Sequence, residues 1–162
     1  MGKYLINASN LHEGGALSVS TSFIYELYKT KKSANIALLL SSAMLRSLTI
    51  LSVDLSKFES CEVFDSFGAQ GFSNGLRAKL NNYKVVFTVF GPVYTFKLSC
   101  RHIVGFAHPW IIYPQNAIEK NWRLTRRIRY RVKSLLQALF FLNADIIIVE
   151  LPHVRKGLKK HA

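Results

Sequence analysis

Short, unbroken apolar runs alternate with helical-period segments along the whole chain, and that alternation restricts the fold more than any other feature. The runs are Tyr4 to Asn7, Asn35 to Leu40, Val85 to Phe90, His102 to Phe106 and Ile146 to Val149, with a weaker one from Ser60 to Phe64. Strands that are apolar on both faces belong to a sheet covered on both sides, which in practice is a parallel one. Between the first two runs, Val19, Phe23, Ile24, Leu27 and Tyr28 recur at helical spacing. Ser18 is placed to cap that helix, and Lys29, Lys31 and Lys32 suit its negative end. Strand, helix and strand within roughly 35 residues make a βαβ unit. Shorter helices are expected over Ser42 to Leu48 and Asn74 to Asn81, a glycine-rich loop over Phe67 to Ser73, and a long helix over Lys120 to Leu142. The expected fold is α/β, an open, mostly parallel Rossmann-like sheet with helices on both faces.

With 162 residues, 49% of them hydrophobic, the chain has material for one domain with a proper core. Neither an internal repeat nor a linker divides it. His153 to His161 reads as the start of a further helix at the point where the sequence stops, so a truncated protein is expected. The opening residues do not make a signal peptide, and the longest apolar stretch, Ala34 to Leu51, is interrupted by Ser41, Ser42, Arg46 and Ser47. Cys61 and Cys100 have no C-x-x-C or zinc spacing and read as free thiols. These features point to a cytoplasmic protein, either free or held on the inner face of the cytoplasmic membrane, without a metal.

Charge narrows the partners. Lys and Arg number 22 against 9 Asp and Glu, a net charge of +13, so the partner is anionic. Much of that charge lies in one helix, as Lys120, Arg123, Arg126, Arg127, Arg129, Arg131 and Lys133, with no acidic residue between them. Leu124, Ile128, Val132, Leu135, Leu139 and Leu142 form an apolar stripe on the same helix, expected to pack on the sheet. A basic face of one sign suits anionic lipid headgroups, with nucleic acid as the weaker alternative.

Three strand ends carry the candidate site. Gly14 and Gly15 follow the first strand and open a helix, where unpaired N–H groups and the helix dipole favour an anion. The same pair also suits a plain turn, and it is not a G-x-G-x-x-G fingerprint. Gly91 and Pro92 end another strand, and His108 and Trp110 follow the next. Ligands of open α/β sheets collect at such carboxyl ends. His108 is either a structural histidine or a hydrogen-bonding acid or base. Trp110 and Tyr113 either stack on a sugar ring or fill core. A Walker loop, a G-x-S-x-G elbow and a pair of catalytic carboxylates are all missing from the sequence.

The segments INASNLHEGGALSVSTSFIYEL, VVFTVFGPVY, GFAHPWIIYP and ADIIIVELPHVRKGL, in that order over essentially the whole chain, resemble the N-terminal half of bacterial group 1 glycosyltransferases. Those enzymes have the two-Rossmann GT-B fold. The resemblance implies that residues 1–162 are the acceptor-side domain and that the C-terminal donor-binding domain is absent. It further implies hexose transfer from a nucleotide sugar, as co-substrate rather than cofactor, to a saccharide or lipid-linked acceptor of surface polysaccharide such as O-antigen or capsule. Gly14 and Gly15 would lie near the donor diphosphate, with Gly91, Pro92 and Trp110 lining the site. His108 would be a polar contact at the reaction centre. Activity would then need a missing donor domain or a separately encoded partner. Two alternatives stand beside this one: a non-catalytic basic module for anionic membrane or nucleic acid, and a complete flavodoxin-like nucleotide-binding enzyme.

Overall fold

The structure is a computed structural model that describes residues 2–68, 72, 74–112 and 122–161, with backbone alone at 74, 109, 110 and 159–161. Its elements are β1 (Gly2–Ala8), α1 (Gly14–Lys29), β2 (Ile36–Leu40), α2 (Ser42–Ile50), a 3-10 turn (Leu55–Lys57), β3 (Ser60–Val63), α3 (Asn74–Asn81), β4 (Tyr83–Thr88), β5 (Arg101–Gly105), α4 (Pro109–Ile112), α5 (Leu124–Phe141), β6 (Ile146–Ile148) and α6 (Pro152–His161). The six strands form one sheet in the order β3-β2-β1-β4-β5-β6, and every pairing is parallel. This is the doubly wound order, in which the chain starts in the middle, builds outward one way, then returns and builds outward the other.

Successive side chains of a strand face opposite sides of the sheet, so each apolar run feeds two cores. Ile6, Ala8, Leu38, Leu40 and Val89 pack with Ile24 of α1 and with Met44 and Leu48 of α2. Their neighbours Leu5, Ala37, Leu39 and Val86 pack on the other face with Leu76 and Leu80 of α3. A third cluster, Val104, Phe106, Ile111, Ile112 and Phe141, joins β5 to α4 and α5, with Val154 and Leu158 of α6 against it. Thus the expected α/β architecture is present, with helices on both faces.

Polar groups also cross the sheet. Asn7 Nδ2 donates to Thr88 Oγ1 at 3.2 Å, and Thr88 Oγ1 lies 2.9 Å from His102 Nε2. The three residues sit on β1, β4 and β5, and all are buried. His102 Nδ1 has no hydrogen-bond partner among the described residues. Burial holds the imidazole pKa down, to about 4, against a smaller opposing pull from Asp145.

Two helices differ from the sequence expectation. α1 begins a turn before Ser18, because Gly14 takes φ +73°, a left-handed conformation that glycine adopts at no steric cost, and Glu13 is the extended residue before it. The larger difference concerns α5. Its apolar stripe does not pack on the sheet: Leu124 is 69% exposed, Leu135 64% and Leu142 64%, and Ile128, Val132 and Leu139 are exposed as well. The face turned inward instead carries Tyr130, Ser134, Gln137, Ala138 and Phe141. Gly91 gives the reason. A Cβ there would overlap Val104 Cγ1 and lie 3.3 Å from Phe141 Cε1, so the missing side chain is the space that seats Phe141. Gln137 fixes the same face by donating to the Tyr94 hydroxyl at 3.1 Å, and Asn143 does so by donating to the Thr95 carbonyl at 2.9 Å. Lys120, the expected first residue of this helix, lies outside the described residues.

Candidate functional site

The strand order reverses between β1 and β4, and a cavity of about 540 Å³ opens at the carboxyl ends of the strands there. That volume falls in the range of small-molecule sites. Four strand-end loops build its walls: Asn10 to Glu13 with Ala16 after β1, Ser66 to Gly68 after β3, Phe90 to Tyr94 after β4, and Ala107 with His108 after β5. Gln137 of α5 closes the last side.

Each wall is held by hydrogen bonds that the sequence motifs do not announce. Asn10 Nδ2 donates to the Phe90 carbonyl at 2.8 Å, which ties the first loop to the third. Asn10 Oδ1 is buried without a partner among the described residues. The loop after β3 is held to α2 by Asp65, which accepts from the Ser42 N–H at 2.8 Å and the Ser42 hydroxyl at 2.5 Å. Those bonds keep its carboxyl below the usual range, helped by His12 and Arg46. His12 reaches across to the same loop. Its Nδ1 is 3.6 Å from Asp65 Oδ1, its Nε2 is 3.1 Å from the Ser66 carbonyl, and its ring stacks on Phe67 at 3.9 Å.

His108 joins His12, Glu13 and Tyr94 as a titratable group of the cavity wall. Its Nε2 lies 2.8 Å from the Gly91 carbonyl. A carbonyl only accepts, so Nε2 carries the proton and Nδ1 is left as an acceptor. Burial lowers the His108 pKa, the bond to Gly91 opposes that, and Lys133 adds to it. The ring is thus neutral near pH 7, with Nδ1 as its acceptor.

The structure brings together Gly91, Pro92 and His108, which all line the cavity. Gly14 and Gly15 lie beside it, between the lining residues Glu13 and Ala16, and a Cβ at either position would meet nothing within 4 Å. The α1 N-terminus has no side-chain cap, so its first N–H groups are not used by one. Glu13 opposes an anion there, being the acidic residue of the lining. Trp110 begins α4, but its side chain and the whole of Tyr113 lie outside the described residues. Arg123, Arg126, Arg127, Arg129, Arg131 and Lys133 are separate from this cavity, on or at the start of α5.

Sequence reasoning missed Asn10, His12, Asp65, Tyr94 and Gln137. Asn10 and His12 sit in the turn already singled out for its glycines. The other three come from distant segments and carry no local signal. Among the described residues no group of His, Cys, Asp and Glu could hold a metal ion, and no helix is long and apolar enough to cross a membrane. In comparisons with known proteins, no family model, no curated protein and no solved structure matches the chain.

Proposed function

We propose that this chain is the acceptor-side half of a two-lobed glycosyltransferase, moving a hexose from a nucleotide sugar to a saccharide or lipid-linked acceptor. The observation that carries the reading is the cavity at the strand reversal, which combines a glycine-entered helix N-terminus with a buried histidine acceptor. The parallel sheet order and the sequence resemblance agree with it. A second Rossmann lobe, in the same protein or in a partner chain, holds the nucleotide.

In the reaction an acceptor hydroxyl oxygen bonds to the anomeric carbon of the sugar. The bond from that carbon to the diphosphate oxygen breaks, and the nucleoside diphosphate leaves with the electron pair and takes up the proton that the acceptor hydroxyl loses. The α1 N–H groups at Gly14 and Gly15 face the departing diphosphate, whose growing charge the helix dipole favours. His108 Nδ1 accepts from a hydroxyl of the transferred sugar and fixes its orientation. It forms no covalent bond.

The test is turnover of a panel of nucleotide sugars on a membrane extract, with and without a donor lobe fused to the chain. His108→Ala in the fused protein is expected to lower kcat/KM by about 10-fold, the loss of one hydrogen bond. Gly15→Val is expected to raise the KM for donor with the fold intact. Turnover unchanged in both variants would remove these groups from the reaction, and no turnover in a folded fusion would refute the transferase reading.

A further inference from the structure

Neither the core nor the cavity uses the exposed face of α5. Leu124, Ile128, Val132, Leu135, Leu139 and Leu142 run along it, and Leu136 broadens it. An exposed apolar stripe of this length on a helix whose other face is already packed needs a covering. The charges flanking it state which. At about 100° of rotation per residue, Arg129 and Lys133 flank the stripe on one side, beyond Leu136, and Arg131 borders it on the other. Between Leu124 and Phe141 the helix has no acidic residue.

A protein partner with an apolar groove would match the stripe, and would need an acidic rim to match the cations as well. Nucleic acid would match the cations and leave the aliphatic stripe in water. An anionic bilayer matches both at once, with acyl chains beneath the stripe and headgroup phosphates along its two borders.

One local feature agrees. An open cleft of about 560 Å³ on α5 is lined by Thr125, Arg126, Arg129, Tyr130 and Lys133, all donors or cations.

We infer that α5 is an interfacial helix that lies in the plane of an anionic membrane, with its leucine stripe in the acyl region and its arginines on lipid phosphates. The orientation follows from the opposite side of the helix. Gln137 faces inward and lines the cavity at the strand ends. The cavity is therefore about one helix diameter, ~10 Å, from the lipid. This inference does not depend on the transferase reading, since lipid binding is measured without any substrate.

The experiment is flotation of the full chain with vesicles of neutral phosphatidylcholine, and with vesicles in which roughly a third of the lipid is anionic phosphatidylglycerol. Binding to the second and weak binding to the first are expected. Each cation at an anionic surface changes partitioning about fivefold, so Arg129→Gln with Lys133→Gln lowers it by about 25-fold. The apolar arm is Ile128→Ser with Leu135→Ser and Leu139→Ser. All three side chains are exposed, so the circular dichroism should stay unchanged while flotation is abolished. Binding that is lost in the cation variant but kept in the apolar variant would overturn insertion of the stripe. Absence of flotation would overturn the inference outright. If the apolar variant instead turns a dimer into a monomer, with no lipid binding by the parent, the stripe is an interface between copies. Tight RNA binding, indifferent to the apolar variant and without flotation, would assign the cations to nucleic acid.

Discussion

Lowering the pH tests the buried polar chain directly. His102 is 3% exposed, its Nε2 faces Thr88 Oγ1 and its Nδ1 has no partner among the described residues. Protonation would place a second N–H donor, and a charge, where nothing receives them. The pKa falls from 6.5 in the unfolded chain to about 4 in the folded one. Between those values the unfolded state binds the proton and the folded state does not, so stability is full above 6.5 and is lost as pH falls toward 4. Going from about pH 7.5 to about pH 4.5, the loss from this residue is about 2.5 kcal/mol, or roughly 70-fold in the unfolding equilibrium. Urea unfolding followed by far-ultraviolet circular dichroism measures it, in the parent and in His102→Gln. The glutamine does not titrate. The parent should therefore be the more stable of the two at neutral pH, with its advantage shrinking by about 2.5 kcal/mol at the acid end. Taking the difference removes the other titrating groups, including His108, which shifts in the same direction. An advantage that stays constant with pH would refute the argument, since His102 would then titrate alike in both states.

Two glycines should behave oppositely. Gly105→Ala drives a Cβ into the Val89 carbonyl oxygen, a backbone atom that cannot swing away, and is expected to cost about 3 kcal/mol in urea unfolding. Gly15→Ala meets open space and should change stability by less than about 1 kcal/mol. Ser41 caps α2 by accepting from the Met44 N–H at 3.1 Å, and it also donates to the Leu11 carbonyl. Ser41→Ala therefore removes a cap and leaves a buried carbonyl unpaired, for an expected loss of about 2 kcal/mol by the same assay.

The strands were legible because a parallel sheet covered twice demands apolar residues on both faces, and Asn35 to Leu40 or Val85 to Phe90 have few other uses. The order of the strands was not, since the pairing of β1 with β4 depends on contacts far apart in sequence. The stripe on α5 shows a different limit. Leucines at helical spacing identify an apolar face but not what it faces, and here Phe141 and Gln137 won the sheet because Gly91 leaves a gap for the aromatic ring. The cavity divides the same way. Its glycines and His108 sit at strand ends and could be found by position. Asp65 could not, because its role rests on Ser42 and His12, which reach it only after the sheet has assembled.

The row Asn7, Thr88 and His102 has a consequence for assembly of the sheet itself. Aliphatic side chains are interchangeable partners, and a strand of valines and isoleucines that slides by two residues still presents the same face. A hydrogen-bonded row tolerates no such slide. His102 is in register with Val86 and reaches Thr88 diagonally, so a two-residue slide of β5 that takes it away from Thr88 would carry it about 7 Å along the sheet and strand its nitrogen. The row thus acts as a dowel through three strands. Because Asn7 and Thr88 lie at the carboxyl ends of β1 and β4, next to the loops that carry Asn10 and Gly91, the dowel also sets how far those loops project into the cavity.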